Sequence, residues 1–150
     1  MICVVQRVSS ASVEVTDPPH AASIASGLLV LAAAEPDDDA RVLTWMANKL
    51  SNLRIFADDA GRMNRSVLDI EGSVLLISQF TLAGNCDKGH RPSFIGAATP
   101  EQAEPLIEQL GQRIAATGVP VRTGVFAATM AVTSVNDGPV TVILQRAGDR

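Results

Sequence analysis

At 150 residues the chain has the length of one domain able to enclose a single core, and 47% hydrophobic with 19% charged residues exclude a disordered tail. A formal charge of -4 argues against a protein that grips nucleic acid mainly through its phosphates, leaving room only for a small contact with one RNA end, and aromatics at 3%, with Trp45 the sole tryptophan, leave almost no platform for stacking single-stranded RNA. Cys3 and Cys86 form no Cys-x-x-Cys motif or disulfide framework, and MICVVQRVSS is too briefly apolar for a signal peptide or membrane span, so the expected location is the cytoplasm.

From Cys3 to Val15, CVVQRVSSASVEV alternates well enough in its second half to predict a strand, and DPPH at Asp17 to His20 predicts a turn into a second strand, SGLLVLAAA. Pro36 followed by Asp37, Asp38 and Asp39 predicts a helix start, because acidic groups suit the positive end of the dipole; Leu43, Met46, Leu50 and Leu53 then recur at helical spacing. LRIF ends that helix or begins a strand, and DDAGR is a turn. The run SVLLISQFTL, Ser73 to Leu82, is too apolar to be one-sided and predicts a central strand covered on both faces.

After a glycine-bearing polar loop, Thr99-Pro100-Glu101-Gln102 predicts a capping box with proline at the first helical position, ahead of Leu106, Ile107, Leu110 and Ile114. The helix should stop near Gly118. Pro105 lacks a donor and crowds the carbonyl of Glu101, which predicts a kink or a late start. Three strands, VPVRTG, FAATMAVTSV and VTVILQ, complete the chain. Between the last two, VNDGPVT puts a proline directly after the glycine of what would otherwise be a hairpin tip, where it removes a donor as pairing should begin.

The predicted order is β-β-α-β-β-α-β-β-β within a single compact domain, 1-150, without linker, repeat or low-complexity segment. An α+β fold follows, with two helices packed on one side of a mostly antiparallel, curled sheet.

If the SQFTL strand runs straight, Ser78, Phe80 and Leu82 face one way and Gln79 and Thr81 the other. The plainer account is a strand running out into solvent; the sharper one is a strand end lining a cleft. A nucleophilic hydroxyl at Ser78 or Thr81 needs an oriented base, yet His20 and His90 lie in predicted loops in no triad order, and no Gly-x-Ser-x-Gly elbow is present. Cys86 and His90, four apart in a loop without a local motif, read as ordinary loop residues. No metal-ligand cluster or phosphate-cradling loop stands out, so no metal or cofactor is expected. Lys88, His90 and Arg91 make a local positive spot, by default solvated charge, alternatively a contact for a few phosphates at an RNA end.

Together, SQFTL at Ser78 to Leu82, GHRPSF at Gly89 to Phe94, TG-x-F at Thr123 to Phe126, Met130 and NDGPVT at Asn136 to Thr141 resemble the D-aminoacyl-tRNA deacylases. VVQRVSSASV, GLLVL at Gly27 to Leu31 and NLRIF at Asn52 to Phe56 resemble that family too, so the likeness covers almost the whole chain. It implies a homodimeric editing hydrolase that cleaves the ester between a D-amino acid and the terminal adenosine of tRNA, and removes glycine mischarged on alanine tRNA. It further implies a cis bond at Gly138-Pro139, reaching into the partner's active site as a backbone wall that excludes L side chains. By position, Ser78 and Gln79 would hold the adenosine or the ester, amides near Phe80 would serve as oxyanion donors, and Phe126 and Met130 would line the adenosine pocket. Thr81 matches a position proposed as nucleophile but ranks lower, since its hydroxyl has no visible base.

The sequence departs from the family pattern where AGNCDKGH follows SQFTL, with Asp87 in place of a positive charge, and where FAAT stands for FGAD, with Ala127 in place of glycine. Two other readings are a related deacylase for small L-aminoacyl-tRNA and a non-catalytic module binding the tRNA 3′ end. No membrane and no DNA partner is expected.

Overall fold

The computed structural model of the chain describes residues 1–148. In chain order its elements are β1 (Ile2–Val15), β2 (His20–Ile24), β3 (Gly27–Ala33), α1 (Ala40–Asn52), β4 (Phe56–Ala57), β5 (Met63–Arg65), β6 (Ser73–Ser78), a 3-10 turn (Phe80–Ala83), α2 (Pro100–Ala116), β7 (Val121–Thr123) and β8 (Met130–Gln145). β1 is long enough to pair along both edges. On one edge β3 takes its first half, from Ile2 against Ala33 to Val8 against Gly27, and β2 takes its second half, ending with Val15 against His20. On the other edge β8 runs antiparallel along nearly its whole length. β6 lies parallel to β3 and β7 parallel to β6, so the sheet is mixed, in the order β2-β1-β3-β6-β7 with β8 also on β1.

The expected α+β architecture holds, with its helices against one face, but the order of elements needs correction. β2 is a separate strand that the sequence reading placed in a turn and its flank; HAASI has little apolar alternation and pairs because the second half of β1 offers it an edge. β4 and β5 form a small sheet of their own. SVLLISQFTL does not remain a strand to Leu82: it ends at Ser78, where its partner β3 runs out, the last pair being Ala32 with Ser78. FAAT is a turn, and the two final strands are one, β8, because β1 supplies a partner on both sides of VNDGPVT.

α1 begins at Ala40 rather than at Pro36. The Asp39 side chain caps it by accepting from the amides of Arg41 and Val42, while Asp38 binds the Met1 ammonium at 2.6 Å and the Glu35 amide at 2.8 Å. α2 starts at Pro100 with the Thr99 and Gln102 capping box formed, so Pro105 causes no late start and sits inside the helix.

Alternate residues of the strands point to opposite faces, and in the central strands β3 and β6 both faces are covered. On the helix side Cys3, Val5, Leu28, Val30 and Leu76 pack with Leu43, Met46, Leu50, Leu110 and Ile114. Inside the curl, Val8, Val13, Val15, Ile24, Leu29, Leu75 and Ile77 form a second cluster. Val74 to Ile77 are all buried, as a strand covered on both faces requires.

Burial pushes the Cys3 thiol up to about 12, so its reactive thiolate is scarce near neutral pH, whereas Cys86 is exposed. A thiol reagent at pH 8 should therefore modify one cysteine, Cys86, in the folded protein and reach Cys3 only on unfolding. Peptide mapping of the label checks this.

Candidate active site at the end of the central strand

Past Ser78 the chain leaves the sheet. The Gln79 amide makes one last bond to the Ala32 carbonyl, 2.8 Å, and the chain winds into the Phe80–Ala83 turn. The amides of Phe80 and Thr81, at the start of this turn, have no backbone acceptor among the described residues, as the first donors of a helical turn lack partners within it. The straight-strand alternation of Gln79 to Leu82 is thereby replaced by a turn that presents main-chain donors.

A cleft of about 580 Å³ lies at this strand end, lined by Ser78, Gln79, Phe80, Phe94, Phe126 and Met130 together with Thr99, Pro100 and Ala103 of the start of α2. Phe80 is 56% exposed and meets Phe94 edge-on, ring centroids 5.2 Å apart. Gly84 lets Phe94 seat: a Cβ there would lie 2.8 Å from the Phe94 ring. A second cleft, about 470 Å³ between β6, β7 and α2, shares Ser78 and Phe126 with the first. Ala127 lines the first cleft at φ 60, a left-handed conformation that suits glycine better. Beside the cleft, the carboxyl of Glu101 is held below the usual range by hydrogen bonds from its own amide and the Thr99 hydroxyl. Among the described residues no group of three or more His, Cys, Asp or Glu is placed to hold a metal ion.

The structure thus brings together Ser78, Gln79, Phe80, Phe126 and Met130. Thr81 is exposed and outside the cleft lining, its hydroxyl accepting from Gln79 Nε2 at 2.6 Å; an amide donor is not a base. Lys88, His90 and Arg91 are exposed on a loop closed at its neck by the Asn85 and Ser93 backbone pair, 2.8 and 2.9 Å. No hydrogen bond joins Cys86 to His90 among the described residues. Phe94 and the start of α2 were missed as lining residues. Their sequence signals, the end of GHRPSF and the capping box, name a loop and a helix start without showing that both return to the end of β6.

Gly138 and Pro139 lie outside the lining of this cleft in the single chain. Val8 pairs with Asn136 and Gln6 with Thr141, so Arg7 alone faces Asp137 to Val140, which loop out of the strand. The Gly138-Pro139 bond is cis, and Gly138 has φ 144. A Cβ on Gly138 would come 2.7 Å from Val140 Cγ2 and 2.9 Å from the Val140 nitrogen. Arg7, with a side chain only 14% exposed, holds the corner: Nε donates to the Asp137 carbonyl at 2.8 Å and Nη1 to the Ile55 carbonyl at 2.7 Å. Asn136 Oδ1 accepts from the Val140 amide at 2.7 Å. Arg7 is another residue that sequence reasoning missed, since an arginine in an alternating strand reads as an outward charge.

The family model described as D-Tyr-tRNA(Tyr) deacylase matches residues 4–145. A relative named D-aminoacyl-tRNA deacylase, from Geotalea daltonii, is 52% identical over 97% of this chain and 96% of its own. Among solved structures, one named c-Myc DNA Unwinding Element Binding Protein superposes with a TM-score of 0.91 at 37% identity, covering 99% of this chain and 100% of the other. Another, of a "probable eukaryotic D-amino acid tRNA deacylase", has the same fold with a TM-score of 0.82 at 16% identity, covering 95% of this chain and 97% of that one.

Replacing Arg7 by alanine leaves the Asp137 and Ile55 carbonyls without their donor and should lower stability by about 1–3 kcal/mol. Urea denaturation measures the loss, and a change under about 0.5 kcal/mol, within the range of an ordinary surface substitution, would show that the corner holds without it.

Proposed function

Because the chain belongs to the D-Tyr-tRNA(Tyr) deacylase family and is a hydrolase of D-aminoacyl-tRNA, we propose that it works at the cleft beside Ser78 with main-chain donors in place of a side-chain nucleophile. The observation that carries this reading is the amide of Phe80, a residue of the cleft lining, with that of Thr81 next to it in the chain, both without backbone acceptors among the described residues. An ester carbonyl placed there gains negative charge on oxygen as water attacks, and fixed amide donors stabilise that oxyanion without reorganising. Water adds to the carbonyl carbon, the ester bond to the ribose breaks, and the ribose oxygen leaves with a proton. The neighbouring ribose hydroxyl is suited to relay that proton, since the aminoacyl ester is already activated and positioning supplies much of the rate. Ser78 and Gln79 hold the terminal adenosine or the ester, and Phe126 and Met130 line its pocket.

The wall against L side chains is the Gly138-Pro139 corner, donated by a second copy. Two features support this assignment. Within the single chain the corner lies outside the cleft lining, and β8, paired on one edge with β1, exposes Val132, Val135 and Ile143, the last at 69%. Such a wall excludes a side chain of the wrong hand and cannot refuse glycine, which extends the activity to glycine mischarged on alanine tRNA. Lys88, His90 and Arg91 contact phosphates near the acceptor end. No helix among the described residues is long and apolar enough to cross a membrane; we place the enzyme in the cytoplasm with its substrate.

The test compares hydrolysis of D-tyrosyl-tRNA and L-tyrosyl-tRNA by the purified protein. The D ester should be cleaved and the L ester spared. Equal rates would remove the wall, preferential cleavage of small L-aminoacyl esters would make it the related deacylase, and RNA-end binding without ester release would make it a silent module. Gly138→Ala, which forces a Cβ into Val140 at a φ unsuited to side chains, should displace the corner and reduce D-over-L discrimination by about tenfold or more while the protein stays folded.

A further inference from the structure

The two ends of the sheet are not joined by a ladder: in the order β2-β1-β3-β6-β7, β2 and β7 each keep an unpaired edge among the described residues. Across this seam His20 Nε2 lies 2.8 Å from the Thr123 carbonyl oxygen. A carbonyl oxygen only accepts, so Nε2 carries the proton and the imidazole donates. Thr123 is the last residue of β7, and the segment 124–128 that follows is neither helix nor strand. That segment carries Phe126 and Ala127 to the cleft wall.

The same segment is gripped by a second group. The Met130 sulfur occupies the space that a Cβ on Gly124 would need. His20 and Met130 are linked through β1, because both pair with Val15, His20 across the β2 edge and Met130 across the β8 edge. One β1 residue therefore sets the register of both groups that hold Thr123 and Gly124.

We infer that His20 is a positioning residue for the deacylase cleft: its hydrogen bond to Thr123 across the β2–β7 seam fixes the 124–128 segment and so places Phe126 for substrate. This rests on the assignment of the cleft made above. Beside the bond the seam opens into a hollow of about 590 Å³ whose lining includes Ser12, Glu14, Ser23 and Arg122. Water can therefore reach the Thr123 carbonyl once the imidazole is gone, so loss of the bond frees the segment without leaving a buried acceptor unpaired.

Hydrogen exchange of the Ala128 amide, which donates to the Val125 carbonyl at 3.2 Å and so reports the fold of the 124–128 segment, read by mass spectrometry on the free protein, tests the latch without reference to activity. His20→Ala should speed this exchange and leave the melting temperature nearly unchanged. His20→Gln, which keeps an N–H donor, should restore slow exchange. In steady-state deacylation of D-tyrosyl-tRNA, His20→Ala should raise KM by about five- to tenfold, the factor an ordinary hydrogen bond sets, with kcat nearly kept, and His20→Gln should recover KM. A fall in kcat at constant KM would mark loss of folded enzyme and overturn the inference, as would unchanged exchange, or faster exchange with unchanged KM. A wild-type protein that binds D-tyrosyl-tRNA but releases nothing would instead overturn the deacylase cleft, and the exchange result would still decide whether the latch exists.

Discussion

The pairing of β1 along both edges is the constraint on which the rest of the molecule depends. A strand of 14 residues offers more edge than β3 alone can use, so β2 completes one side and β8 fills the other. Those pairings shape the cleft and the Gly138-Pro139 corner. β3 carries β6 and fixes where that strand stops, at Ala32 against Ser78, and the turn that follows starts with the Phe80 and Thr81 amides, which have no backbone acceptor among the described residues. β8 on the far edge sets Met130 over Gly124, and the mismatch around Arg7 forces Asp137 to Val140 out of the ladder.

That mismatch explains why a proline can follow the glycine of VNDGPVT. In a hairpin tip the missing donor would interrupt the ladder at its start. Here the proline sits in a bulged corner whose groups are satisfied by side chains: Asn136 takes the Val140 amide, and Arg7 donates to the Asp137 carbonyl. Pairing resumes at Thr141 with Gln6, whose side chain also donates to the Thr141 hydroxyl at 3.3 Å. The corner is thus fixed from both flanks.

The departures from the family pattern also take a physical form. Asp87, where a positive charge is usual, folds back on Asn85, its amide donating to Asn85 Oδ1 at 3.0 Å and its carboxylate accepting from Asn85 Nδ2 at 2.9 Å. The acid thus serves the loop that carries Lys88, His90 and Arg91. Ala127 holds a left-handed backbone, a conformation that suits glycine better. The DPPH turn delivers His20 to the start of β2, opposite Val15 and within reach of Thr123.

The sequence by itself determined the elements whose pattern is local. The apolar period of α1, the capping box of α2 and the run Val74 to Ile77 each declare helix or buried strand through spacing alone. It also determined the family, because ordered motifs such as SQFTL and NDGPVT survive as text. Tertiary structure decided what depends on a partner strand. SQFTL bends because β3 ends, HAASI becomes a strand because β1 has spare edge, and FAATMAVTSV and VTVILQ fuse because one long partner spans both. Arg7, Phe94 and His20 acquire their places through contacts 130, 14 and 103 residues away along the chain, with Asp137, Phe80 and Thr123. Strand pairing and side-chain reach across a curled sheet are long-range events, and no window of residues records them.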